Sequence, residues 1–284
     1  MRIYLLCDLE GVTGLTRRPQ AWFWEKGATD EDRAEGRRLM TDEVNAAVET
    51  ALRAGADRIV VCDAHHGGGN LIDDQLIRDS RLRHETRNAA ALAPSLDETF
   101  GALMLLGYHA KAGTAGAFLP HTWSGNWLDL RINGASCGEI GIDACSAGHW
   151  GVPVVLVQGD DAACAEARAL LPDMVTAPVK RVLSFDHAQA MTPPATPAWI
   201  AARIREAIEK ARAKAIRPFK PRLPMTVQIT MNTPEAALRA AGKPGVRAVD
   251  DLTVEADVAR QCDVLRPFTP KTRPPNALEK SGEI

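Results

Sequence analysis

The chain has 284 residues, 45% of them hydrophobic and 25% charged, with a formal net charge of −2. This is the make-up of an ordinary soluble globular protein, long enough for one large domain or two smaller ones. With a pI near 6.4 and no basic run, neither nucleic acid nor an anionic membrane is an expected partner; no apolar run spans a bilayer and no signal-peptide pattern opens the chain, so a cytoplasmic protein is expected.

The first predicted element is a short buried strand, Ile3 to Cys7, which stops at Asp8 and Glu10 and is followed by Gly11 and Gly14. Side chains two apart on extended chain share a side, so the two carboxylates face the same way, a costly arrangement unless a cation sits between them. The plainer alternative is that Asp8 caps a turn and Glu10 is solvated. The aromatic stretch Trp22-Phe23-Trp24 is expected to form a loop that walls a site, contacts another subunit or makes a local lid. A helix follows from about Asp30, with Thr29 and Asp32 approximating a capping box, an apolar stripe from Met40 to Leu52 and Gly55 as its stop.

Arg58 to Asp63 repeats the opening pattern, a β-branched strand that ends in Asp63, His65 and His66 before three glycines. Strand, helix and strand make a βαβ unit with both polar ends on one edge. Residues 70–100 are expected to be helix and loop, with the charged cluster Arg78 to Arg87 a solvated face. A third apolar strand, Gly101 to Tyr108, ends at His109. Then come a glycine-rich loop to Pro120-His121, a hairpin about Asn133-Gly134, a helix with Glu139 in its first turn, a fourth strand from Pro153 to Gly159 and a helix from Asp160 to Leu171. Beyond residue 180 prolines separate a helix (Trp199 to Ala215), a strand (Met225 to Met231) and a second helix (Pro234 to Ala241), and the proline-bearing tail from Pro267 to Ile284 is expected to be loosely ordered. The expected fold is α/β, an open, mainly parallel sheet with flanking helices. Residues 1–185 form the core, and residues 186–284 a smaller α+β portion that supports it or builds an oligomer interface. The six cysteines show no paired spacing and are expected to be buried free thiols.

Asp8, Glu10, His65, His109 and Glu139 are therefore the candidate metal ligands, four of them at strand ends, where open α/β sheets place their sites. Imidazole with carboxylate suits zinc, with Mn2+ or Co2+ as alternatives, and a bridging carboxylate would allow two ions. Each histidine taken alone is more often a structural residue, and it is their joint placement at strand ends that points to a metal site.

Taken in order, Asp8-Leu-Glu10-Gly11, Asp63-Ala-His65, Leu106-Gly-Tyr-His109-Ala, the separate His121 and Gly138-Glu139-Ile-Gly resemble the motif series of the zinc-dependent D-aminopeptidase family, over roughly residues 1–175. The resemblance implies two zinc ions per chain, bridged by Asp8 and completed by Glu10, His65, His109 and Glu139, with His121 as the catalytic residue. It also implies a ring-like homo-oligomer enclosing the sites. The expected activity is removal of the N-terminal residue, D-amino acids included, from short peptides or amino acid amides. A metal-dependent hydrolase of another amide or ester bond, or a non-catalytic metal-binding protein, is the alternative. Pro120 before His121, a longer preceding loop and the extra imidazole of His66 depart from the family pattern and bear on pocket shape and substrate. Asp63 is a candidate for holding a substrate ammonium, or for orienting His65.

Overall fold

The computed structural model describes residues 1–88, 91–191 and 197–269. In chain order the elements are β1 (Arg2–Cys7), α1 (Arg18–Ala21), α2 (Asp30–Arg53), β2 (Arg58–Asp63), β3 (Leu82–Thr86), β4 (Ala102–Tyr108), β5 (Trp127–Ile132), β6 (Ala135–Cys137), α3 (Glu139–His149), β7 (Val154–Asp160), α4 (Asp161–Leu170), β8 (Val175–Ser184), β9 (His187–Ala190), α5 (Pro197–Arg212), β10 (Met225–Met231), α6 (Pro234–Ala241), β11 (Val246–Ala248) and β12 (Thr253–Val258). The expected capping box opens α2: Thr29 accepts from Asp32 N while Asp32 accepts from Thr29 N.

Two sheets organise these elements. The larger has the order β3-β2-β1-β4-β7-β8-β9 and is parallel except for β9 at its edge. Its central strands β1, β4 and β7 are buried almost throughout, as parallel strands covered on both faces must be. Chain order reverses direction between β1 and β4, so the crevice that ligands favour in open α/β sheets opens beyond the carboxyl ends of those two strands, where Asp8 and His109 lie. The smaller sheet is antiparallel, with the order β11-β12-β10-β5-β6, and its strand β10 alternates buried and half-buried residues over its whole length.

The division expected at residue 185 does not follow the sheets. The hairpin of β5 and β6, with Asn133 and Gly134 at positive φ in its turn, comes early in the chain yet pairs with β10, whereas β9, beyond residue 185, completes the parallel sheet. Helix α3 joins the two cores: Ile140, Ala144 and Ala147 pack in the core of the larger sheet, Ile142 and Cys145 in that of the smaller. It is accordingly buried from Glu139 to Gly148, as a helix between two apolar layers must be.

The charged run from Arg78 to Arg87 contains an edge strand, β3, and ends in a buried residue, so it is not simply a solvated face. Arg87 is 7% exposed. All six cysteines are free thiols, and five are buried. Part of the expected tail, residues 270–284, lies outside the described residues, as do Pro193 and Pro194.

Candidate metal centre

The floor of the site is set by an approach of two backbones. Gly11 N donates to Gly107 O at 2.7 Å, and a Cβ on Gly11 would stand 2.1 Å from Tyr108 O. A side chain there is sterically forbidden, so the glycine after Asp8 and Glu10 is what allows the end of β1 to lie against the end of β4. Gly107, at φ +72, is equally tight, its Cβ position being 2.1 Å from Asp8 O. This contact sets two acidic side chains beside His109.

All five candidate ligands are linked pairwise at one spacing. His109 Nε2 is 3.4 Å from both Asp8 Oδ2 and Glu139 Oε1, and His65 Nε2 is 3.4 Å from Glu10 Oε1. All five residues are buried. Ligand atoms of Asp8, Glu10 and His109 lie within 4.8 Å of one another, as do those of His109, His121 and Glu139. A tetrahedral zinc with bonds of about 2.0–2.1 Å has ligand-to-ligand edges of about 3.4 Å. Glu10 Oε2, His65 Nε2 and His109 Nε2 are buried without a hydrogen-bond partner, a state that costs free energy unless something else engages them. The donor set, its spacing and these orphaned atoms fit a bound zinc ion.

Electrostatics point the same way. Burial and the neighbouring Glu10 charge push the Asp8 carboxyl up to about 7. Burial also opposes the Glu10 charge, but the imidazoles of His65, His121 and His109 hold Glu10 well below the usual carboxylate range. His109 Nδ1 lies 2.9 Å from Ala110 O and His121 Nδ1 3.0 Å from Leu119 O. A carbonyl only accepts, so each Nδ1 carries a proton, and the neutral form of each ring presents its lone pair at Nε2. The two rings stack with centroids 3.9 Å apart. His121 is the more open of the two, its side chain 23% exposed against 1% for His109.

Several residues that the motifs do not mark complete the site. Trp22, half-buried, donates from Nε1 to Glu10 Oε1 at 2.7 Å and stands edge-on to His121, so the aromatic loop is a wall of the site. Trp24 stacks on His66 at 3.9 Å, which gives that added imidazole an aromatic partner beside His65. Trp123 N donates to Glu139 Oε1. Trp127 belongs to the smaller core, against Phe268. Arg87 donates to Asp143 Oδ1 at 2.6 Å and to Leu92 O at 3.0 Å, with its Nη1 3.9 Å from Glu139 Oε2. Tyr108 donates to the other Asp143 oxygen at 2.6 Å. Asp143 follows Glu139 by four residues on α3, one turn along the same face, and that spacing is the one sequence signal by which it could have been found.

Lys180 on β8 is fully buried and donates from Nζ to the carbonyls of Glu10 and Leu15, each at 2.6 Å; burial lowers its pKa to about 7. It pins the loop that follows the first carboxylate pair. The Asp63 oxygens accept from Asn70 N and Nδ2 at 2.7 and 2.9 Å. Asn70 also donates to His65 O, so Asp63 is linked to the backbone of His65 through Asn70.

A family model described as D-aminopeptidase matches residues 1–269, well past the stretch that carries the motifs. A D-aminopeptidase of Bacillus subtilis (strain 168) is 34% identical over 193 residues, 68% of each chain. The solved structure of the Zn-dependent D-aminopeptidase DppA from Bacillus subtilis, described as a self-compartmentalizing protease, aligns with 94% of this chain and 95% of its own at 28% identity, with a TM-score of 0.82. The chain belongs to the D-aminopeptidase family.

Proposed function

We propose that this protein is a zinc-dependent aminopeptidase that removes the N-terminal residue, a D-amino acid by family, from short peptides or amino acid amides. The observation that carries the reading is the 3.4 Å spacing of buried imidazole and carboxylate ligand atoms, with Nε2 of His65 and His109 otherwise unpartnered. Asp8, Glu10 and His65 would hold one zinc, and Asp8, His109 and Glu139 a second, with Asp8 common to both. When bound, zinc supplies Lewis acidity toward the scissile carbonyl.

The remaining chemistry belongs to His121. Its Nδ1 proton is committed to Leu119 O, so Nε2 is free to take a proton from an attacking water and return it to the leaving amine, or to attack the carbonyl itself. Burial and the adjacent His109 keep its pKa below that of ordinary imidazole, which favours the neutral form that either role requires near pH 7. Trp22 stands edge-on to His121, and the backbone N–H of Trp123 donates to Glu139 Oε1. The solved neighbour is described as self-compartmentalizing, and the same reading for this chain is a closed, ring-like homo-oligomer that admits short or unfolded peptides only.

The test is hydrolysis of paired D- and L-aminoacyl amides by the zinc-loaded protein, before and after chelation. Release of ammonia from the D-amide that stops on zinc removal is expected. Failure to cleave either amide would overturn the reading.

A further inference from the structure

Beside the metal centre, and sharing Trp22 with it, lies a second pocket of about 490 Å³. Trp22 carries the connection: its Nε1 is 2.7 Å from Glu10 Oε1 and its ring centroid 5.4 Å from that of His121. On the pocket side the Arg18 guanidinium lies over the same indole, its Cζ 4.5 Å from the ring centroid. Arg17, Lys26 and His187 also line the pocket, against Glu25 and Asp186. Basic groups outnumber acidic ones, and the basic groups are not used up equally.

Arg17 is spent on Asp32 and Glu35, at 2.8 and 3.2 Å. Among the described residues Arg18 makes one side-chain hydrogen bond, from Nη2 to Glu25 Oε1 at 2.6 Å, and its Nε is buried with no partner. A guanidinium offers five N–H donors in a fixed fork; with Nε buried, the outer Nη1/Nη2 end of a side chain 34% exposed is the part left to meet a planar anion. Lys26 is exposed and makes no ion pair among the described residues.

We propose that this pocket is the subsite for the C-terminal carboxylate of the substrate, with Arg18 as its principal donor and Lys26 as the supporting charge. The proposal rests on the peptidase reading above, which it deepens by naming the end of the substrate that limits its length. The two ring steps, 4.5 and 5.4 Å, put the Arg18 guanidinium within about 10 Å of His121, and an extended chain advances about 3.3–3.6 Å per residue, so at most about three residues beyond the scissile bond span the interval. An aminopeptidase with a cation at that distance reads both ends of its substrate at once: the free N-terminus at the metal centre and the carboxylate at Arg18. Longer peptides would carry their carboxylate past the pocket and forgo that contact, which favours short ones.

The experiment compares the free acid and the C-terminal amide of one D-aminoacyl tripeptide, in wild type and in Arg18→Met, which keeps an apolar stem over Trp22 while removing the fork. Wild type is expected to favour the acid by about 10- to 100-fold in kcat/KM, the worth of a charge-assisted hydrogen-bond pair, and the variant to lose most of that ratio. Lys26→Met, on an exposed position, is expected to lower the ratio less. A wild type indifferent to the terminus, or an Arg18→Met that slows acid and amide alike, would overturn the proposal, the latter because it marks Arg18 as a prop for Trp22. Binding of N-acetyl-glycylglycine and its amide to the zinc-loaded protein, followed by ligand-observed NMR, separates the two readings, since neither compound has an N-terminus to cleave. Tighter binding of the acid, lost in Arg18→Met, supports the subsite whether or not the enzyme turns over; equal binding overturns it.

Discussion

Replacing Arg87 by methionine removes a cation from a site where three groups depend on it. Its side chain is 6% exposed, and Asp143, which it holds at 2.6 Å, is 1% exposed. Burial already raises the Asp143 pKa, opposed by Arg87 and then by the Tyr108 hydroxyl. Without the guanidinium, among the described residues Asp143 keeps a single donor, Leu92 O loses its partner, and Glu139 loses the positive charge 3.9 Å away. Leaving one half of a buried pair uncompensated costs about 3–5 kcal/mol. At roughly 2–4 °C per kcal/mol for a domain of this class, the melting temperature should fall on the order of 10 °C. The assay is denaturant unfolding with chelator present and protein concentration fixed, so that neither zinc linkage nor mass action enters the difference. If the cost comes from the stranded charge, then Arg87→Met with Asp143→Asn should be more stable than Arg87→Met alone, by about 1–3 kcal/mol, because the second change neutralises the carboxylate. A single variant within about 1 kcal/mol of wild type, or a double variant that is worse than the single, would refute the reasoning.

His121→Ala is expected to keep bound zinc and fold while turnover falls about 10²- to 10⁴-fold; loss of zinc in that variant, measured by atomic absorption, would make His121 a ligand. The zinc-replete protein should carry about two ions per chain, and His65→Ala or His109→Ala fewer, since each removes a lone pair that has no other partner; a wild-type stoichiometry near zero would remove the metal centre. Light scattering at micromolar concentration should give a large symmetric multiple of 30.7 kDa, and a mass near that of one chain would exclude the closed ring. Burial pushes Cys137 up to about 11 and Cys62, Cys145 and Cys164 up to about 12, so an aromatic disulfide reagent at pH 8 should titrate only the partly exposed Cys262 in the native protein and all six thiols after denaturation. Two or more fast-reacting thiols in the native protein would contradict the packing of the core.

The sequence alone determined which side chains sit at the carboxyl ends of the parallel strands. A short apolar run that stops at a charged residue and a glycine marks a buried strand by local pattern, and Asp8, Glu10, His65 and His109 were found that way because each lies within a few residues of the run that positions it. The capping box of α2 and the Asn133-Gly134 turn were equally legible, being contacts between near neighbours in the chain. Tertiary structure decided everything that depends on a partner distant in sequence. Edge strand β3 was hidden by charges tolerated where one side of a strand is open to solvent. The pairing of the β5–β6 hairpin with β10 was hidden because alternation identifies a half-buried strand but not the sheet that buries it. Arg87 reads as one more member of a charged run, Lys180 as a surface lysine, and Trp22 as part of an aromatic patch. Their roles come from Asp143 fifty-six residues away, from Glu10 O 170 residues away and from Glu10 Oε1 across a turn. A buried charge is stable only through the groups folded around it, so nothing in its immediate sequence announces it.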